Sequence, residues 1–154
     1  MHVTTLEEYG LRCLLQVALS EGDRPVSVQE IARAEGLGPE YVARIMGILR
    51  SAELVRSTRG AGGGYRLSRP AHEISAWDAV TALGGQLFSD EFCDCYTGRR
   101  RDCVHGSDCS VRAIWQTVRG VLRQTLEGIS LKDLERDEVA MRTWLSGAAE
   151  ARPN

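Results

Sequence analysis

The sequence predicts a mainly α-helical fold with a small β wing, a winged helix-turn-helix followed by one long amphipathic helix. Three observations predict it. Two short helical segments meet at Gly36-Leu37-Gly38, two β-rich stretches bracket the glycine run from Arg59 to Gly64, and apolar residues recur every three or four positions from Val111 to Leu126.

The first helix is expected from Leu6 to about Ser20, because Leu11, Leu14, Leu15 and Ala18 fall on one helical face. Thr4 or Thr5 caps it, and Thr5-Leu6-Glu7-Glu8 reads as a capping box that would assign Glu8 to its own helix end. Ser27-Val28-Gln29-Glu30 has the same form, with Val26 placed to staple onto Ile31, so a second helix starts at Val28 and ends near Gly36. Pro39 opens a third, tolerated at a first-turn position whose N–H would have no partner. Val42, Ile45, Met46 and Leu49 form its buried stripe, while Glu40, Ala43, Arg44, Gly47 and Arg50 face outward.

Leu54–Thr58 and Tyr65–Ser68 read as the strands of a wing. Ile74 and Ser75 cap a short helix through about Leu83, stopped by Gly84-Gly85. The long helix follows a cysteine-bearing loop, and its stripe of Val111, Ile114, Trp115, Val118, Val121, Leu122 and Leu126 requires an apolar partner. A last helix is expected over about Leu131 to Leu145.

Composition narrows the function. The 154 residues suit one domain with an appended element, and 43% hydrophobic with 26% charged content is ordinary for a globular chain. No basic leader precedes an apolar run and no segment is long enough to span a bilayer, so a cytoplasmic protein is expected. The net charge of −2 conceals a basic segment, since residues 39 to 70 hold six Arg against two Glu. Such a segment on a helix-turn-helix with a hairpin points to a polyanion, and the geometry of the motif points to double-stranded DNA.

The residues expected to meet DNA are Ser27, Tyr41, Ala43 and Arg44 on the helices, and Arg56, Arg59, Gly60, Gly62, Gly63 and Tyr65 on the wing. Arg59 at the wing root suits a narrow minor groove, and the glycines permit close approach to a phosphate backbone. The glycine run matches neither G-x-G-x-x-G nor the P-loop, so a nucleotide cradle is disfavoured.

Five cysteines are present, and four of them, Cys93, Cys95, Cys103 and Cys109, lie within 17 residues. Without an export signal, such a cluster reads as metal binding or redox chemistry. Tetrahedral zinc prefers C-x2-4-C knuckles, whereas only a C-x-C is present, so an iron–sulfur cluster, either [4Fe-4S] or [2Fe-2S], fits the spacing better. Cys109 stands at the start of the long helix, where the dipole favours a thiolate. Arg99-Arg100-Arg101 would lower neighbouring thiol pKa values, or form a solvated loop tip. His105 is a possible ligand or an exposed side chain, and Cys13 reads as core packing.

The segments Ser27–Glu35, Tyr41–Arg44 and Leu54–Ser57, the wing Arg59–Leu67, the pair Cys103 and Cys109, and Ile114-Trp115 together resemble the bacterial IscR/NsrR family of iron–sulfur winged-helix regulators. The resemblance covers residues 1 to about 134. It implies a homodimer built by crossing of the long helices, a cluster in each subunit, and promoter binding tuned by cluster state. It also implies metal ligation by Cys95, Cys103 and Cys109, with Cys93 as the alternative to Cys95, and a fourth ligand, Glu8, from the partner subunit. On this reading residues 1–85 form the DNA-binding domain, 86–108 the cluster-binding loop, 109–130 the dimerisation helix and 131–154 a C-terminal helix and tail. The implied function is a DNA-binding repressor that senses cluster supply, redox stress or nitric oxide. Two other readings are carried forward: a winged-helix regulator with a zinc or thiol/disulfide switch, and a thiol enzyme using Cys103 and His105. Ala43 stands where the cluster-biogenesis regulators often carry an acid, so the resemblance does not extend to the DNA sequence they recognise.

Overall fold

The computed structural model describes residues 3–20, 24–60, 62–84, 97, 99, 103–105 and 108–150, with side chains through 147. Among these residues are α1 (Thr5–Ala18), α2 (Val28–Glu35), α3 (Pro39–Ser51), β1 (Val55–Thr58), β2 (Gly64–Leu67), α4 (Ala76–Ala82), α5 (Ser110–Glu127) and α6 (Glu138–Glu150). The two strands pair antiparallel, with Arg56 opposite Arg66 and Ser57 opposite Tyr65. Val26 extends this ladder, exchanging backbone hydrogen bonds with Tyr65 at 2.9 and 2.8 Å. The expected mainly α fold with a two-stranded wing is what forms.

The core lies where α1, α2, α3 and the wing root meet. Ile45, Met46, Leu49 and Val42 are fully buried, so the α3 stripe lies where its period places it. On α1 the buried line is Gly10, Cys13, Leu14 and Val17, with Leu11 and Leu15 only half-buried. This corrects the expected face by a small rotation. The cause is Gly10: a Cβ there would sit 2.3 Å from the Leu83 side chain, so the missing side chain lets α4 pack directly on α1.

Of the two expected caps of α1, Thr4 and Thr5, the structure uses Thr4, with Glu7 and not Glu8 as its partner. Thr4 is the N-cap: the Glu7 N–H donates to Thr4 Oγ1 at 3.2 Å, and Glu7 Oε2 accepts from the Thr4 N–H at 2.6 Å. Glu7 is buried by this work and Glu8 is left exposed, so capping does not consume Glu8. Ser27 and Ser75 close the same reciprocal box with Glu30 and Asp78. Gly36 ends α2 at φ 67°, a left-handed cap that glycine adopts without strain.

The expected helix over 131–145 is divided in two. Asp133 accepts from the Ser130 N–H at 2.9 Å and from its hydroxyl, forming a turn, and Asp137 restarts the chain by accepting from the Ala140 N–H at 2.9 Å. Burial pulls the Asp133 carboxyl upward, but hydrogen bonds from Ser130 and Arg136 outweigh it and hold it below its ordinary value. Two capping residues so close together make two short elements instead of one. No described helix is long and apolar enough to cross a membrane.

Candidate nucleic-acid interface and cysteine site

α2 and α3, separated by the turn at Gly36-Leu37-Gly38, form the helix-turn-helix. On the outer side of α3, Glu40, Ala43 and Arg44 are exposed. Tyr41 is half-buried, its ring edge-on to Tyr9 with centroids 6.2 Å apart. Ser27 is the N-cap of α2, so its hydroxyl is already engaged by the Glu30 N–H at 3.2 Å. The Glu30 carboxyl is held down to about 2, first by the Ser27 backbone N–H, then by the Ser27 hydroxyl and Arg24.

Arg56 and Arg59 are exposed on the wing. Gly60 takes φ 111°, a conformation suited to glycine, and the hairpin closes through the Gly63 N–H donating to the Gly60 carbonyl at 2.9 Å. A Cβ at Gly63 would lie 2.5 Å from the Thr58 carbonyl oxygen, and one at Gly64 would lie 2.4 Å from that of Val26. These glycines therefore serve closure of the wing itself. Gly64 was invisible as a distinct requirement because the sequence shows only a run of identical residues. Gly62 is exposed and Tyr65 is packed against the core.

The cysteine site is described in part. Cys109 is the N-cap of α5, and its Sγ accepts the Arg112 N–H at 3.4 Å. A sulfur in that position faces the positive end of an 18-residue helix. Cys103 is half-buried and neither it nor Cys109 forms a disulfide. Between them, His105 is exposed and its carbonyl accepts from the Asp108 N–H at 3.1 Å. Arg99 is exposed. Cys93, Cys95, Arg100 and Arg101 lie outside the described residues. Among the described residues no three His, Cys, Asp or Glu side chains gather to hold a metal ion. Two soft sulfur donors, one polarised by a helix N-terminus, nevertheless have the donor chemistry an iron–sulfur centre requires. Cys13 is different: it is fully buried, and that burial, with Glu35 adding to it against Arg12, pushes its thiol up to about 11.

α1 is tied to the reading helices beside Glu8. Tyr9 follows it directly and touches Tyr41, and the Arg12 guanidinium lies 5.5 Å from the Tyr9 ring centroid while donating to Glu35 at 2.6 Å. Gln16 donates to the other oxygen of Glu35, also at 2.6 Å. These contacts were not read from the sequence, since aromatic and polar residues on different helices give no periodic signal of their pairing.

No residue of α5 is buried. Val111, Ile114 and Val121 are between 58% and 59% exposed, and Trp115 is 37% exposed.

The chain matches the Rrf2 family, described as an iron-dependent transcriptional regulator, over residues 3–137. It is 34% identical over 137 residues to the protein rrf2 of Nitratidesulfovibrio vulgaris, covering 89% of each chain. It is 31% identical over 138 residues to the HTH-type transcriptional regulator IscR of Vibrio campbellii, covering 89% of this chain and 79% of that one. Among solved structures, it resembles the global cysteine regulator CymR of B. subtilis with a TM-score of 0.71 at 27% identity, covering 89% of this chain and 99% of that one. IscR of T. potens matches with a TM-score of 0.67 at 28% identity, covering 100% of this chain and 93% of that one.

Proposed function

Since this chain belongs to the Rrf2 family of transcriptional regulators, we propose that it is a dimeric, DNA-binding repressor governed by an iron–sulfur cluster at its cysteine loop. The observation that carries this reading is Cys109 at the N-cap of α5, six positions after Cys103, with its sulfur already facing backbone N–H groups. Cys103 and Cys109 would hold the cluster with Cys95, or with Cys93 in its place, and Glu8 of the partner subunit would complete the set. The exposed position of Glu8 and the assignment of the α1 cap to Glu7 support that role. When bound, the cluster supplies an inorganic centre reactive toward oxidants and nitric oxide.

The remaining work belongs to the chain. Arg44, Ala43 and the outer face of α3 would read the major groove, and Arg59 at the wing would enter the minor groove. Ser27, Tyr41, Arg56, Gly60, Gly62, Gly63 and Tyr65 would position them, Ser27 and Tyr65 chiefly through the local structure they close. Apolar faces of two α5 helices would pack together and set the separation of the reading helices, which must be about 34 to 36 Å for half-sites one turn apart. Changes at the cysteine turn enter α5 at its cap. Changes at Glu8 enter α1, whose Tyr9 and Arg12 grip α3 and α2.

A zinc or thiol/disulfide switch is the second reading, favoured by similarity to CymR, whose structures include an oxidised form from Staphylococcus aureus at 32% identity. The relatives are transcriptional regulators, so the thiol enzyme at Cys103 and His105 is set aside. Anaerobic purification decides between the first two. Visible absorbance with iron and labile sulfide, and operator affinity that changes on oxidant or nitric oxide exposure, is expected. Colourless protein with stoichiometric zinc, or operator affinity indifferent to iron removal, would overturn the cluster reading. Cys109→Ser separates the sulfur's two roles, because serine is a good N-cap. It is expected to lose iron while retaining helical content.

A further inference from the structure

α3 turns Val42, Ile45, Met46 and Leu49 into the core, and the helical period puts Gly47 almost directly opposite the centre of that stripe. Nothing in the described fold asks for glycine there. Its φ is not left-handed, and a Cβ on it would meet nothing within 4 Å. At Gly10, Gly63 and Gly64, by contrast, a Cβ would lie 2.3 to 2.5 Å from a neighbouring atom. Glycine also weakens a helix interior relative to alanine, so Gly47 lowers the stability of α3 with no packing or backbone reason inside the domain.

Gly120 of α5 is equally open, but its surroundings differ. Arg123, one turn after Gly120, is paired with Glu127 at 2.7 Å. Arg44 and Arg50, one turn to either side of Gly47, are exposed, and neither has an ion-pair partner among the described residues. Gly47 itself is half-buried, so it forms the floor of a dip between two unpaired guanidinium groups on the outer side of α3.

We propose that Gly47 is a specificity-determining residue of the DNA interface: its bare Cα lets base edges in the major groove come against the α3 backbone, while Arg44 and Arg50 engage the DNA on either side. This rests on the DNA-binding reading above. An α-helix is about 10 to 12 Å across and the major groove about 12 Å wide, so clearance is small and the residue facing the groove floor sets the depth of entry. A methyl group at position 47 holds the helix away from the bases and removes contacts that depend on that depth. The long arginine side chains follow the shift and keep their hold on phosphates.

The test compares the wild type, Gly47→Ala and Gly120→Ala, each full-length and purified anaerobically, by thermal melts and by titration with two probes. One probe is the set of duplexes that the wild type enriches from a random-sequence pool, and the other is the unselected pool. Both variants should melt higher than the wild type. The affinity of Gly47→Ala for the enriched duplexes should nonetheless fall about tenfold or more, the size of one mismatched base pair. Its affinity for the unselected pool, and the salt slope there, should be unchanged because no cation is removed. Gly120→Ala should bind both probes as the wild type does. Undiminished affinity of Gly47→Ala for the enriched duplexes overturns the proposal. So does an equal loss on both probes, which would place a phosphate strand at position 47, an equal loss in Gly120→Ala, or a Gly47→Ala protein that melts lower because the fold itself needs the glycine. A wild type that enriches no sequence overturns the DNA-binding reading and this proposal together, whereas the other outcomes overturn this proposal alone.

Discussion

α3 and α5 carry the same kind of apolar repeat and meet opposite fates. α3, of 13 residues, buries Val42, Ile45, Met46 and Leu49 completely, while α5, of 18 residues, buries none. The difference teaches that a period of three to four residues reports which face is apolar and says nothing about who covers it. The first domain is completed by its own chain. On the proposed reading, α5 is half of an interface and waits for a second copy, as a helix whose stripe is not satisfied within its own chain must.

The comparison breaks most visibly by truncating one residue in each stripe. Ile45→Ala should cost about 2 to 5 kcal/mol of folding stability, because the site is fully enclosed and cannot collapse onto the cavity. Ile114→Ala, at a position 59% exposed, should leave the intrinsic stability of the domain nearly unmoved and weaken dimerisation. Urea unfolding at several protein concentrations, with sedimentation for the oligomeric state, reads both. If Ile114→Ala lowered stability as much as Ile45→Ala, with no dependence on concentration, α5 would be an ordinary core helix of one chain.

Two glycines sharpen the contrast, since one substitution should act with opposite signs. Gly10→Ala places a Cβ 2.3 Å from the Leu83 side chain, in a packed interior, and should destabilise by about 1 to 3 kcal/mol. Gly120 has nothing within 4 Å, and the helical period puts it on the face of α5 opposite Val111, Val118 and Leu122. Gly120→Ala should therefore stabilise α5 by about 0.5 to 1 kcal/mol without touching the dimer. Thermal melts give the sign of each. A Gly120→Ala protein that became monomeric would place the seam on the other face of the helix.

Much of the fold was legible because hydropathy and caps are written locally. Ser27 with Glu30, Ser75 near Gly84, and the α3 stripe each carry their signal within a few residues. What was illegible needed knowledge of a distant partner. Gly10 has no hydropathy, so its part in the α1 face appears only once Leu83 lies against it. Thr4 and Thr5, like Glu7 and Glu8, are adjacent and chemically alike, so sequence could not choose the register of the cap, and with it the freedom of Glu8. The site divides the same way. Cys109 was placed at a helix start by the repeat that follows it, whereas the proposed ligands would come together from a loop without period and from the α1 end. The wing glycines were read as serving a partner, yet two of them mainly permit the hairpin's own backbone contacts.

A comparably small effect probes how the closed domain is fastened at its edges, in contrast to α5 with its thiol cap. Ser27→Ala removes one half of the α2 box and should cost about 1 kcal/mol at neutral pH, measured by urea unfolding. The pH dependence follows from the other half. Glu30 has its carboxyl held at about 2 against an ordinary 4.5, so the folded state favours the ionised form. Its contribution is fully present above about 4.5 and fades as the pH falls toward about 2, where the folded protein also takes up the proton. The stability gap between wild type and Glu30→Gln should therefore shrink steadily through that window and be constant from pH 6 to 8. A gap that did not narrow on acidification would mean that hydrogen-bond geometry, not charge at the helix N-terminus, closes this end of the domain.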